Sequence, residues 1–150
     1  MKDRIAMGFI AGIIAGVFMN LIDYIGVYVV GFDDVLLLEW AAVLMYGRPQ
    51  ENMLEASLAQ AGQLVFSGFL GIFFAYIMLK ITSGNYLFKG WLYGILTWFF
   101  IYALTIVFKV PFLTRHPFEA VVVHIIASSV YGLVLAEALK RLDQGVGLIN

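Results

Sequence analysis

The chain has 150 residues, 63% hydrophobic and only 13% charged, with a mean hydropathy of +0.95. A soluble domain of this size has too much surface to cover with so few charges. A net charge of −1 and nine scattered Lys and Arg offer no basic face to nucleic acid, and the absence of cysteine excludes disulfides, thiolate metal sites and redox pairs.

About 20 apolar residues in a helix cross a hydrocarbon core of about 30 Å. Four segments meet that length, at 5–31, 58–80, 89–110 and 117–141. The fold expected is an all-α, four-span integral membrane bundle in one domain. The first apolar run is too long for a secretory signal, whose core is about 7–15 residues, so it reads as a retained span, and no lipidation motif is visible.

Between the first two spans, Asp33 and Asp34 are placed to cap a short apolar helix over 34–46, with Gly47 as its stop. That helix is too short to span and is expected to be interfacial or re-entrant. Pro49 suits the first turn of the next helix, with Glu51 and Glu55 on one face. Pro111 and Pro117 bracket a tight loop before the last span, and Glu119 sits in that span's first turn.

Orientation follows the Lys/Arg bias of short loops. With the N-terminus inside, Lys2, Arg4, Lys80, Lys89, Lys140 and Arg141 are internal, against Arg48, Lys109 and Arg115 outside. Both termini are therefore expected in the cytoplasm. Trp40, Tyr46, Tyr86 and Trp91 fall near the expected interfaces.

Two spans carry stripes of small residues at four-residue spacing. The first has Gly8, Gly12, Gly16 and Asn20; the last has Ala120, His124, Ser128, Gly132 and Ala136. Such faces permit close helix approach. If these antiparallel stripes face each other, Gly8 meets Ala136, Gly16 meets Ser128, Asn20 meets His124, and Asp23 comes within reach of His124.

The halves also resemble each other. Gly8 and Gly12 align with Gly90 and Gly94, while Gln63, Ser67, Gly71 and Ala75 align with His124, Ser128, Gly132 and Ala136. In the same register Asn20 corresponds to Tyr102 and Asp23 to Thr105. The copies share one orientation, which implies a duplicated two-helix hairpin about an axis along the membrane normal.

Counted at about 1.5 Å per residue, Asp23 lies about 12 Å and His124 about 10 Å below the outer surface, with Gln63 and Thr105 at about 7–8 Å. Polar groups sharing this level point to an outward-facing cavity, with Asn20, Asp23, Gln63, Thr105 and His124 as candidate ligands. Asp23 and His124 form either a proton or cation site or a structural hydrogen bond.

Catalysis finds little support. Ser128 lies one turn below His124 in a packing stripe, no third metal ligand joins Asp23 and His124, and a haem would need a second axial ligand. No cofactor is expected. His116 reads as a helix-capping residue of the outer loop, and the aromatic run Trp98-Phe-Phe with Tyr102 reads as lipid-facing or packing surface.

Gly8-Phe-Ile-Ala-Gly12 opening the first span, Lys89-Gly-Trp-Leu-Tyr-Gly94-Ile-Leu-Thr-Trp98 opening the third, Pro111-Phe after it, and His124 with Tyr131-Gly132 in the last are similar to a known pattern. The chain resembles the YqhR-like and YagU-like groups, small four-span bacterial membrane proteins of unknown function. That resemblance implies a plasma-membrane protein without an assigned reaction, diverging in the insert at 32–57. The function expected is transporter- or channel-like, for a proton, cation or small solute. The alternative is a scaffold or accessory subunit whose polar groups serve packing. A lipid bilayer and a second copy of the chain are the expected partners.

Overall fold

A computed structural model describes residues 3–32, 36–81 and 84–147. All regular structure among them is helical: α1 (Arg4–Ile25), α2 (Leu37–Tyr46), α3 (Met53–Lys80), α4 (Tyr86–Val107) and α5 (Phe118–Gly147). Four of these are long and apolar enough to cross a membrane, so the protein is a multi-pass membrane protein built as a four-helix bundle.

Side-chain caps set several starts. The Asp3 carboxylate accepts the Ile5 and Ala6 N–H groups, and Asn52 and Asn85 accept those of Glu55 and Phe88. α1 continues through a π-helical turn, Gly26–Val30, before Gly31 turns the chain at φ +68°. Gly47 ends α2 in the left-handed region at φ +73°, as its position in the sequence anticipates.

The second long helix starts at Met53, not at Pro49, so Glu51 precedes it and only Glu55 lies in its first turn. Arg48 grips Glu55 with two bonds of 3.0 Å and approaches Glu51 at 3.4 Å, tying the α2–α3 corner together. The Glu55 bond raises the Arg48 guanidinium above its ordinary value, keeping it charged. Pro117 stands just ahead of α5, its carbonyl accepting Val121 N–H at 3.3 Å. The expected capping pair Asp33 and Asp34 lies outside the described residues.

Packing corrects the facing-stripe expectation. The α1 glycines close on α3, not α5. A Cβ at Gly8 would lie 2.8 Å from the Gly71 carbonyl oxygen, one at Gly12 2.3 Å from that of Ser67, and one at Gly16 2.8 Å from Ser67 Cβ. The α5 stripe turns to α4: a Cβ at Gly90 would lie 2.3 Å from the Gly132 oxygen, and one at Gly94 2.2 Å from the Ser128 oxygen. Helix backbones approach this closely only where both faces lack side chains.

These contacts reproduce the internal repeat at the level of atoms. Gly8 meets Gly71 and Ala75 as Gly90 meets Gly132 and Ala136; Gly12 meets Ser67 as Gly94 meets Ser128. α1–α3 and α4–α5 are thus two copies of one hairpin. They join through α1 and α5, where Met7, Ala11 and Ala15 share a core with Tyr131, Leu135 and Ala136.

The two-fold relation breaks at the other joint. Its equivalent would bring α4 against α3, yet those helices meet mainly through long side chains. Tyr93 donates to the Leu70 carbonyl at 2.7 Å, and its ring lies 5.1 Å from Phe74. Above that contact the helices diverge, and α2 bridges the gap. The outward faces carry Phe69, Phe73, Phe99, Phe100 and many aliphatic residues, as a lipid-facing surface requires.

Candidate functional site

The helix crossing that joins the hairpins brings Asp23 of α1 to His124 of α5. Asp23 Oδ1 lies 3.4 Å from His124 Nε2, with 1% and 0% of the two side chains exposed. The other carboxylate oxygen, Oδ2, accepts the Leu37 N–H at 2.7 Å. Asp23 therefore caps α2 from a different helix, where the N-terminal dipole favours a negative charge.

On the far side of the imidazole, Nδ1 is hydrogen-bonded to the Tyr102 hydroxyl of α4. With Tyr102 donating, neutral His124 carries its hydrogen on Nε2, the atom that faces Asp23. The resulting string runs from the start of α2 through Asp23 and His124 to Tyr102, so four helices share it.

An aromatic cluster covers this string. Trp40 of α2 stacks on Tyr102 at 4.6 Å and on His116 at 4.9 Å between ring centres, and meets His124 edge-on at 6.0 Å. Trp98 lies 4.9 Å from Tyr102. The aromatic run splits, with Trp98 and Tyr102 turned inward and Phe99 and Phe100 outward at 63% exposure each. His116 packs in the cluster, its Nε2 3.0 Å from the Leu113 carbonyl.

The remaining candidates do not join the Asp23–His124 pair in one ligand set. Thr105 donates to the Tyr102 carbonyl at 2.8 Å on its own helix. Gln63 accepts from the Gln60 amide at 2.8 Å, and the Gln60 oxygen accepts from Tyr24 at 3.2 Å. Asn20 is buried one turn from Asp23. Ser67, Ser128 and Gly132 belong to the two glycine crossings.

A cavity of about 300 Å³ occupies the gap where α3 and α4 diverge. Gln63, Phe66 and Ser67 form one wall, Thr97, Trp98 and Tyr102 the other. Ser128 and Tyr131 form its base, and Leu37, Trp40, Leu44 and Met45 of α2 its roof. Its surface is mostly apolar. Asp23, His124, Asn20 and Thr105 stand behind it, and Tyr102 is the member of the string that reaches its wall. The polar cavity lined by all five candidates is thus replaced by an apolar one backed by a buried string.

The sequence signals for Tyr102 and Trp40 were weak. Tyr102 aligned with Asn20 in the repeat, which marks a buried polar position, while nothing in the α2 sequence pointed Trp40 at a histidine from another span. No family model, curated protein or solved structure matches this chain.

Proposed function

We propose that this protein is a transporter-like membrane protein that binds a small solute in the α3–α4 cavity, with α2 as the roof of the site. The observation that carries this reading is the broken two-fold joint. The hairpins close tightly at α1–α5, but the equivalent side is held open around a cavity of about 300 Å³, the lower end for ligand pockets. The Asp23–His124–Tyr102 string would register an occupant through Tyr102 in the wall and pass a movement to the start of α2. No reaction is assigned to it. A bacterial plasma membrane, cytoplasmic termini and a second copy beside the open α3–α4 side complete the proposal.

The cysteine-free chain permits a direct test. Thr97→Cys and Ser67→Cys in the cavity wall are expected to react with a small uncharged thiol reagent. Ala15→Cys, fully buried in the α1–α5 core, is expected to stay unmodified. Labelling at neither wall position would remove the solute site.

A second reading has its own observation. Asp23 accepts the Leu37 N–H at 2.7 Å and so fixes α2 on the bundle. In a scaffold or accessory subunit, this bond and the glycine crossings would be the whole purpose of the buried polar groups. Cavity cysteines that react with no reagent, in a protein that Asp23→Ala destabilises, would favour it.

A further inference from the structure

One cavity wall has a hydrogen-bond donor to spare. The indole N–H groups of Trp40 and Trp98 are buried with no partner among the described residues, but they are closed off from the cavity as well and offer an occupant nothing. The Gln63 carbonyl oxygen is taken by Gln60, which leaves its amide N–H groups without a protein acceptor among those residues. A buried donor left without an acceptor is costly, about 1–3 kcal/mol, and an acceptor supplied by an occupant would relieve the Gln63 amide.

Charge narrows the occupant further. No Lys, Arg, Asp or Glu is among the described lining residues. An anion would sit in apolar surroundings with no counter-charge among the described lining residues. A cation would face the Gln63 N–H groups and no carboxylate among the described lining residues. At about 30 Å³ per water-sized unit, the cavity holds about ten non-hydrogen atoms. The rings of Trp40, Trp98 and Tyr102 give the roof and one wall flat apolar surfaces.

We infer that the α3–α4 cavity takes an uncharged, mainly apolar molecule of about ten non-hydrogen atoms bearing a carbonyl- or ether-type hydrogen-bond acceptor. The inference rests on the reading of this cavity as a solute site and narrows its ligand to one chemical class. A lipid acyl chain reaching in from the bilayer would satisfy the apolar surface and leave the Gln63 donor unmet.

Four probes of similar size separate these outcomes: acetophenone, ethylbenzene, benzoate and benzylamine. Each is titrated by calorimetry into the full chain in lipid nanodiscs, beside Thr97→Phe, whose larger side chain fills the wall. Only heat lost in that variant counts, so partitioning into lipid cancels. Acetophenone is expected to bind at least tenfold more tightly than the other three. Gln63→Leu is expected to weaken acetophenone at least threefold and to leave ethylbenzene unchanged. That second comparison decides the matter if Thr97→Phe fails to fold.

Equal binding of ethylbenzene would overturn the acceptor requirement and leave an apolar site open to lipid chains. Equal binding of benzoate or benzylamine would overturn the neutral class while keeping the cavity as a solute site. Cavity-specific binding of no probe would overturn the inference and the solute reading beneath it.

Discussion

Asp23 serves two neighbours at once, and substitutions can separate them. Asp23→Asn keeps an oxygen for the Leu37 N–H but loses the charge at the start of α2. Asp23→Ala loses both. Thermal unfolding in detergent is expected to rank wild type above Asn and Asn above Ala, the full loss of the cap costing about 0.5–2 kcal/mol. Tyr102→Phe removes the hydroxyl bonded to His124 Nδ1 and is expected to cost about 1–3 kcal/mol in the same measurement. Asp23 and His124 were legible in the sequence because ionisable residues stand out in apolar spans. Their meeting followed from two antiparallel helices and matched depth. Tyr102 was harder to see, since an aromatic residue in such a span serves lipid, core and hydrogen bonding equally well.

Glycine patterns in the helices were legible as close-contact faces, but not as pairs of partners. Spacing says that a face is smooth, and any smooth face fits another. The stripe on α1 and the stripe on α5 each found the other helix of its own hairpin. The repeat, which aligned Gly8 and Gly12 with Gly90 and Gly94, held the better clue, because duplicated faces imply duplicated contacts. Gly12→Ala and Gly94→Ala would force a Cβ to 2.3 and 2.2 Å from a facing carbonyl oxygen. Overpacking of this kind costs about 1–3 kcal/mol, and similar losses of thermal stability are expected for the two variants. Gly84→Ala, with nothing within 4 Å, is expected to leave stability unchanged. The start of α3 was misjudged because a proline admits a helix start without compelling one. Asn52, a better cap, lies three residues further on.

An even number of spans puts both chain ends on one face of the bilayer, with α2 on the other. The Lys/Arg bias supports the proposal that this shared face is cytoplasmic. A fluorescent protein fused to either end is expected to be bright inside the cell, and alkaline phosphatase inserted after Arg115 is expected to be active outside. Four spans could be read from composition alone, whereas the open joint could not. Nothing in the α3 or α4 sequence says that these helices part, since the gap arises from where the hairpins meet and from α2 lying over it.

The paired glycine crossings bear on how the protein is made. Each hairpin carries its own clasp, so α1 and α3 can lock together while the second half is still on the ribosome. The α1–α5 seam is then the last to form, between two finished pieces. A gene divided between Lys80 and Tyr86 and expressed as two fragments should still give a complete bundle, detected by co-purification of the halves. Gly12→Ala should impair that assembly through the first fragment alone and Gly94→Ala through the second, so synthesis of this membrane protein need not wait for its last helix.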